Sequence, residues 1–287
     1  MTSSAGDSGR VGRGIAVGDA LLLADVGNSR IKLALLHQGA GRTDEQALGL
    51  PVITHRQDLD SHSFRPEALE RWLLAAAPGP AVILVASVYD GAAARVEAAV
   101  AEISATRHRS IRQRRISHAD LPLEVLLPEP HRVGIDHLAG AAACGLVRPR
   151  GVAAVLIDCG TAATVDLISA EGAFLGGAIL PGPALMARAL EEGTSRLPAV
   201  TALERSPPPA MPGRSTQEAI AVGIGYGIRG AIARLEAEAR AALGPETVTI
   251  LTGGWRAAVR DAVPNALEVP DLVLAGIALA AARALAR

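Results

Sequence analysis

The stretch LLLADVGNSRIKLALL, residues 21–36, decides the fold of this chain, and VAAVLIDCGTAATVDLIS, residues 152–169, repeats its pattern. In each copy, an apolar run of the kind that forms a β-strand ends at an aspartate, Asp25 in the first and Asp158 in the second. One further residue, a glycine and a small polar residue follow, and then an apolar segment resumes. The pattern predicts a strand, a tight turn and a returning strand, written twice.

The residues of the two turns are suited to binding phosphate groups. Gly27 and Gly160 let the backbone come close to a ligand and supply N–H groups without a side chain in the way. Asn28, Ser29 and Thr161 add short hydrogen-bonding groups, and a nearby carboxylate suits a metal ion that bridges phosphate oxygens. One such turn alone would more often be an ordinary hairpin. Two copies, each with an aspartate at the strand end, favour a phosphate site.

Composition limits the classes of protein to which the chain can belong. Its 287 residues are 49% hydrophobic and 20% charged, which predicts one large or two medium globular domains. Aromatic residues make up only 2%, so platforms for stacking single-stranded nucleic acid are not expected. The net charge of −1 offers no general attraction for nucleic acid or a membrane surface, and neither is expected as a partner.

Sequence features also predict a cytoplasmic location. Cys144 and Cys159 lie in apolar sequence without metal-ligand spacing, and we expect both to be small buried side chains. The first twenty residues lack the unbroken apolar segment of a signal peptide, and no run reaches the length of a membrane span.

The order of the predicted elements indicates an α/β chain with two similar halves. Residues 1–19 are rich in Gly and Ser and predict a mobile tail, and a Pro-rich loop over 191–213 is expected to be mobile too. Strands precede helices in residues 20–149 and again in 150–270, which predicts a duplicated domain with a ligand cleft between the copies. Asp90 and Asp271 are each expected to cap a helix, and the last helix, 271–287, is a candidate addition to the first domain.

Two local patterns have more than one interpretation. The run RHRSIRQRR, residues 107–115, could be an anion or nucleic-acid patch, but a solvated strand or loop fits the low net charge better. A long helix begins at Ser215 or Thr216, and the glycines over 223–230 interrupt it. Those glycines predict a tight contact with another helix or another subunit.

Six motifs in one order resemble the type III pantothenate kinases, which are members of the acetate and sugar kinase, heat-shock chaperone and actin superfamily. They are DVGNSRIK at 25–32, GIDH at 134–137, DCGTAATVD at 158–166, GGAILPG at 176–182, STQEAI at 215–220 and TGG at 252–254. The resemblance covers the chain from about residue 21 to its end. It implies two ribonuclease-H-like domains with an interdomain cleft and ATP-dependent phosphorylation of the terminal hydroxyl of pantothenate to 4'-phosphopantothenate, the first step toward coenzyme A. It also implies a homodimer, Mg²⁺, and K⁺ or NH₄⁺ as a monovalent cation.

The resemblance also implies roles for individual residues. Asp136 matches the proposed general base, and Asp158 matches the ligand of the monovalent cation. The segment Gly134, Ile135, Asp136 and His137, together with Thr216, matches the pantothenate contacts. The ATP contacts would be Asp25, Val26, Gly27, Asn28, Ser29, Arg30, Ile31, Lys32 and Thr161.

Physical chemistry is consistent with these roles, although simpler alternatives exist. A primary alcohol is a poor nucleophile at neutral pH, and a nearby carboxylate can accept its proton as phosphoryl transfer proceeds. Asp136 lies in the first turn of its predicted helix, where the positive helix end would lower its pKa. It could instead be a plain helix-terminal charge, and Lys32 could simply face water. If Lys32 instead faces the cleft, it would neutralise charge on the phosphates together with Mg²⁺ and backbone N–H groups.

Two departures from the family pattern lie on the acceptor side. His137 stands where the family usually has Arg, and Leu127 stands where it commonly has Tyr. A histidine would lose its charge near neutrality, so the Michaelis constant for pantothenate is expected to rise between about pH 6 and 8. Three hypotheses follow: a pantothenate kinase, a nucleotide-binding regulator without acceptor chemistry, and a kinase for another small hydroxy compound.

Overall fold

The computed structural model describes residues 19–37, 49–201, 203 and 208–286. The predicted tail over 1–19 lies outside the described residues except for Asp19, and part of the predicted 191–213 loop lies outside them as well. In the described part the chain forms two five-stranded sheets with helices packed between and around them.

The first sheet is built around the first quoted stretch. Its strands are β1 (Ala20–Val26), β2 (Arg30–Leu36), β3 (Ile53–Asp60), β4 (Ala81–Ser87) and β5 (Ile111–Arg115). They lie in the order β3-β2-β1-β4-β5, with β3, β2 and β1 antiparallel and β1, β4 and β5 parallel. The pairing of β3 with β2 continues through a bulge between Leu33 and Leu35.

The second sheet repeats this topology. Its strands are β6 (Ala154–Cys159), β7 (Ala162–Ile168), β8 (Phe174–Pro181), β9 (Val248–Gly253) and β10 (Leu267–Glu268). They lie in the order β8-β7-β6-β9-β10, again with three antiparallel strands followed by two parallel additions. The α/β fold with two equivalent sheets is therefore confirmed, and the hairpins β1–β2 and β6–β7 occupy corresponding central positions.

The helices follow the predicted order. They are α1 (Pro66–Ala76), α2 (Asp90–Thr106), α3 (Ile135–Val147), α4 (Pro183–Glu192), α5 (Thr216–Leu243), α6 (Leu272–Leu279) and α7 (Ala281–Ala284). Ser215 is the N-cap of α5, because its hydroxyl accepts a hydrogen bond from the Glu218 N–H at 3.1 Å.

Two predicted helix caps are wrong, since neither aspartate makes a side-chain capping bond and each carboxylate pairs with a distant arginine instead. Asp90 is the first residue of α2 rather than its cap, and its carboxylate pairs with Arg115 at 2.9 Å. Asp271 precedes α6 in a left-handed conformation, with φ of 57°, and makes no side-chain capping bond. Its carboxylate instead pairs with Arg56 of β3 at 2.6 Å. The predicted final helix is also divided at Ala280 into α6 and α7.

Helices α3 and α6 lie between the two sheets and form the central core. Their buried residues pack against Leu23 and Leu84 of the first sheet and Leu156 and Ile250 of the second. Gly276 lets α6 approach α3 closely, because a Cβ there would overlap the backbone of Ala139. Helices α1 and α2 cover the outer face of the first sheet, and α5 covers that of the second.

The arginine-rich run behaves as a paired surface strand. Its side chains bind acidic residues or backbone carbonyls: Arg107 with Glu70, Arg109 with the carbonyls of Ala77 and Gly79, Arg112 with Asp19, Arg114 with Asp120, and Arg115 with Asp90 and Glu97. These partners support the interpretation as a solvated strand. Cys144 and Cys159 are buried, as expected, and burial raises the pKa of both thiols. Across the described ranges, every helix is too short or too polar to cross a bilayer.

Candidate active site

The β1–β2 hairpin places a carboxylate and an ammonium opposite each other. Asp25, the second-last residue of β1, is in register with Lys32 of β2, and Oδ2 of Asp25 lies 3.4 Å from Nζ of Lys32. The Gly27 N–H donates to the Arg30 carbonyl at 2.9 Å and closes the turn. Lys32 is the single lysine of the chain, since the other 27 of its 28 basic residues are arginines. A compact side-chain ammonium is thus present only at this position.

The β6–β7 hairpin has the same shape but a different partner for its carboxylate. Asp158, the second-last residue of β6, is in register with Thr164. The Gly160 N–H donates to the Ala162 carbonyl at 3.0 Å, and Nε1 of Trp255 donates to the Gly160 carbonyl at 2.6 Å. Within the described residues Asp158 has no ion-pair partner.

The turns of the two hairpins face each other across a cleft. The Thr161 hydroxyl donates a hydrogen bond of 2.8 Å to the Ser29 hydroxyl, so the turns are in direct contact. The cleft has a volume of about 390 Å³ and is lined by both turns, the start of α3 and the side of α4.

The start of α3 directs a further carboxylate into this cleft. Gly134 is the N-cap, and Asp136 lies in the first turn, as predicted. Oδ1 of Asp136 accepts a hydrogen bond of 2.9 Å from the N–H of His137. A Cβ at Gly134 would lie 2.5 Å from that same oxygen, so a larger residue there would displace the Asp136 carboxylate.

His137 is held by a buried carboxylate that the local sequence patterns did not reveal. Nδ1 of His137 lies 3.0 and 3.1 Å from the two carboxylate oxygens of Asp166, whose residue is 2% exposed. Burial alone would lower the pKa of His137, but the hydrogen bond and charge of Asp166, with Asp136 and Asp158 contributing, raise it to about 9. The expectation that His137 loses its charge near neutrality is therefore wrong, because Asp166 stabilises the charged ring.

Burial and like charges dominate the electrostatics of the remaining groups. Burial raises the pKa of Asp158 to about 6; Lys32 opposes this rise, while Asp136 and Asp25 add to it. Burial alone would lower the pKa of Lys32, but Asp25 and Asp158 raise it above its ordinary value. The ammonium therefore stays charged, whereas the charged form of Asp158 is disfavoured by burial and by its acidic neighbours.

The cleft brings together most of the predicted site residues. Its lining includes Asp25, Gly27, Asn28, Ser29, Arg30, Lys32, Gly134, Asp136, His137, Asp158 and Thr161. Val26 and Ile31 are fully buried strand residues instead, and Ile135 packs against the central core. They shape the segments without facing the cleft.

Thr216 lies apart from the cleft. It is the first residue of α5 and lines a separate open groove of about 610 Å³ between α4 and α5. The walls of that groove are apolar and include Met186, Leu190, Ile220 and Ile224. A role for Thr216 at the substrate would therefore need a second copy of the chain.

Among the cleft-lining side chains that sequence reasoning missed are Asp166, Ile179, Arg188 and Trp255. Strand alternation could have revealed Asp166, because Thr164 and Asp166 are two residues apart on β7 and therefore share one face. Lys32 was predicted from its motif, and its being the chain's single lysine is a further signal for it. The positions of Arg188 on α4 and Trp255 after β9 depend on packing over long separations.

Comparisons with known proteins agree with this geometry. Residues 21–238 match the sequence model of the type III pantothenate kinase family. A type III pantothenate kinase from Thermus thermophilus is 32% identical over 263 residues, covering 90% of this chain and 96% of that protein. One from Rhodopirellula baltica is 37% identical over 196 residues, covering 67% and 68%. The structure of acetate kinase from Porphyromonas gingivalis superposes with a TM-score of 0.50 and 14% identity, covering 93% of this chain and 100% of that one, and this shows a shared fold.

Proposed function

The chain belongs to the type III pantothenate kinase family, and we propose that its cleft transfers a phosphoryl group from ATP to the terminal hydroxyl of pantothenate, with Asp136 as general base. The observation that carries this proposal is the convergence of Asp136, Lys32 and the two phosphate-type turns on one cleft. The product would be 4'-phosphopantothenate, and the reaction is the first step of coenzyme A biosynthesis.

Asp136 has the position that a general base needs. Its carboxylate is at the open end of α3, where it accepts the His137 N–H through Oδ1, and its other lone pairs can accept an alcohol proton. As the alcohol oxygen attacks the terminal phosphorus of ATP, Asp136 would accept the proton and ADP would leave. General base catalysis of this kind contributes on the order of 10²- to 10⁴-fold to the rate.

The nucleotide side would use the two hairpins. Backbone N–H groups of the turns and the Asn28, Ser29 and Thr161 side chains offer donors to phosphate oxygens. Lys32 adds a positive charge close to both aspartates. We also propose Arg30 as a nucleotide contact. Its guanidinium lines the cleft beside Gly254, within 4 Å of where a Cβ at that glycine would lie.

The donor set fits the expected metal ions. Among the described residues, no cluster of three or more His, Cys, Asp or Glu forms an all-protein metal site. Mg²⁺ in kinases is commonly held by one or two carboxylates together with substrate phosphates, so Asp25 beside the phosphate turn is a suitable ligand. When bound, Mg²⁺ would neutralise charge on the phosphates. Asp158, which is half-buried and lacks an ion-pair partner in the described part of the chain, would hold the monovalent K⁺ or NH₄⁺.

The acceptor side would hold pantothenate through its carboxylate. Gly134 and His137 line the cleft, and His137 is a cation at neutral pH. Leu127 packs beside Gly176 and the central core, so it supplies no polar contact in place of the family's tyrosine. His137 therefore carries more of the acceptor recognition here.

We further propose a homodimer that uses the α4–α5 face, in the cytoplasm where ATP is supplied. A Cβ added at Gly223, Gly227 or Gly230 of α5 would meet no neighbouring element within 4 Å in the described part of the chain, which leaves room for the close approach of another helix. The apolar groove beside these glycines, and Tyr226, which is 49% exposed, support burial against a second copy. Thr216 lies on this face and would act in that setting. Sedimentation of the full chain tests this proposal, and a concentration-independent monomer would contradict it.

The proposed reaction is tested by coupled measurement of ADP release with ATP, Mg²⁺ and K⁺, with and without pantothenate. We expect pantothenate-dependent turnover in the wild type. Binding of ATP without turnover for any acceptor would contradict the kinase assignment and favour a regulatory role. Turnover only with a different hydroxy compound would contradict pantothenate as the acceptor.

A further inference from the structure

Asp166 is a buried acid to which none of the proposed catalytic steps assigns a role. It lies on β7 and is 2% exposed, and both of its carboxylate oxygens are within 3.1 Å of Nδ1 of His137. The Thr164 hydroxyl donates a further hydrogen bond of 3.3 Å to Oδ2. A buried carboxylate with these contacts fixes which ring nitrogen is protonated and how the ring is oriented.

The surrounding backbone is shaped to receive this carboxylate. Gly177 of β8 lies directly against Asp166, and a Cβ there would be 2.7 Å from Oδ1 and 2.8 Å from the Asp166 Cα. Any larger residue at this position would displace the acid. Gly177, the second glycine of the GGAILPG motif, therefore leaves space for the β7 backbone and for the partner of His137.

We propose that Asp166 is a positioning residue that holds His137 as an oriented imidazolium, so that His137 selects an acceptor bearing a carboxylate as an arginine would. Asp166 occupies Nδ1, and Nε2 remains as the ring donor for the substrate. The His137 side chain is 15% exposed and lines the cleft, so it is accessible to a small anion. The inference deepens the proposed function and depends on it for the identity of the anion.

The other charged groups around the ring act in the same direction. Asp136 on α3 and Asp158 on β6 both favour the charged ring, and together with Asp166 they outweigh the opposing effect of burial. Of the cations that line the cleft, Lys32 is paired with Asp25, and Arg188 projects from α4. The pKa of about 9 is therefore consistent with the geometry.

Steady-state kinetics of the wild type and Asp166→Asn between about pH 6 and 9.5 test the kinetic consequence. Asp166→Asn should have its smallest effect on KM for pantothenate at about pH 6, because burial without the opposing carboxylate lowers the pKa of His137. At about pH 8 it should raise that KM at least about tenfold, because an ordinary histidine is mostly neutral there. The ATP KM should change little. Adding His137→Arg should remove this pH dependence, and Glu171→Gln, an exposed acid after β7, is the matched control. The same KM profile in wild type and Asp166→Asn would overturn the inference.

An NMR titration of the His137 ring in the wild type tests the inference independently. It needs neither turnover nor a folded Asp166→Asn variant. The chain has seven histidines, and the loss of one ring signal in His137→Gln assigns the relevant one. We expect a midpoint near pH 9, and a midpoint at or below about 6.5 would overturn the inference. Absence of turnover in the wild type at every pH would instead count against the proposed function alone.

Discussion

The two central hairpins have the same backbone and different charges. In the first, Asp25 is in register with Lys32, and the pair is 3.4 Å apart. In the second, Asp158 is in register with Thr164 and has no ion-pair partner among the described residues. The carboxylate of the first hairpin has a cationic partner within the protein, and we propose that the second hairpin binds a cation from solution. The two sheets share one topology, and the residue in register with each aspartate on the returning strand differs between them.

The change expected to have the largest effect tests whether the proton acceptor of the reaction lies on α3, outside both hairpins. Asp136→Asn removes the carboxylate at the start of α3 and keeps the size of the side chain. We expect kcat to fall about 10²- to 10⁴-fold, because the alcohol loses its proton acceptor. The ATP dissociation constant should change less than about threefold, since both hairpins remain. Robust turnover in this variant would remove Asp136 from its assigned role.

The second change removes the ion pair between Lys32 and Asp25 in the first hairpin. Lys32→Met leaves Asp25, a residue that is 6% exposed, without its partner. We expect kcat/KM for ATP to fall on the order of 100-fold and the free energy of unfolding to fall by roughly 1–3 kcal/mol, as for a buried charge that loses its partner.

Lys32→Arg is the matched control for charge, because it keeps a cation but changes its shape. Thermal unfolding measures the stability of both variants, and titration with ATP measures their ATP binding. Unchanged ATP binding and stability in Lys32→Met would mean that the ammonium merely faces water.

The third change removes the negative charge of Asp158, which has no cationic partner in the described part of the second hairpin. The pKa of Asp158, about 6, lies above the ordinary value of 3.8, so the folded state binds the proton more tightly than the unfolded state. Stability therefore falls as pH rises between these values, and above about pH 6 the full cost is present.

Asp158→Asn should accordingly stabilise the protein by about 1 kcal/mol at about pH 8 without monovalent cations, while abolishing their effect on the rate. Thermal unfolding at about pH 8 and about pH 4 checks the sign, because the gain should vanish at the lower pH. A loss of stability at the higher pH would show that the carboxylate already has a partner in the folded protein.

The smallest expected effect concerns the contact between the turns. Ser29→Ala removes the hydrogen bond of 2.8 Å that joins Ser29 to Thr161. We expect roughly a two- to fivefold change in ATP affinity and a stability change within about 1 kcal/mol, as is typical for one partly exposed hydrogen bond. Isothermal titration with ATP measures this effect. A change larger than about 50-fold would mean that this contact, rather than the separate turns, organises the nucleotide site.

Local patterns predicted much of the fold and part of the site. Both hairpins and the position of Asp136 in a first helical turn follow from apolar runs and glycine positions that act within a few residues. The register that places Lys32 opposite Asp25 also follows from a short turn, and the structure confirms the pairing of these strands.

Long-range contacts explain what local patterns missed. His137 and Asp166 are 29 residues apart and meet only when α3 packs beside β7. Asp271 is far along the chain from Arg56, so the ion pair that replaces the predicted cap could not be inferred from its neighbours. The distance of Thr216 from the cleft likewise depends on how α5 packs against α4. Such separations set the limit of single-sequence reasoning here.

The most direct test of the difference between the hairpins is a potassium titration of pantothenate-dependent ADP release at constant ionic strength. We predict low turnover without a monovalent cation that fits the site, saturable activation by K⁺ in the wild type, and no K⁺ response in Asp158→Asn. Full pantothenate-dependent turnover in the wild type without K⁺ or NH₄⁺, unchanged on their addition, would contradict the assignment of Asp158 to the cation.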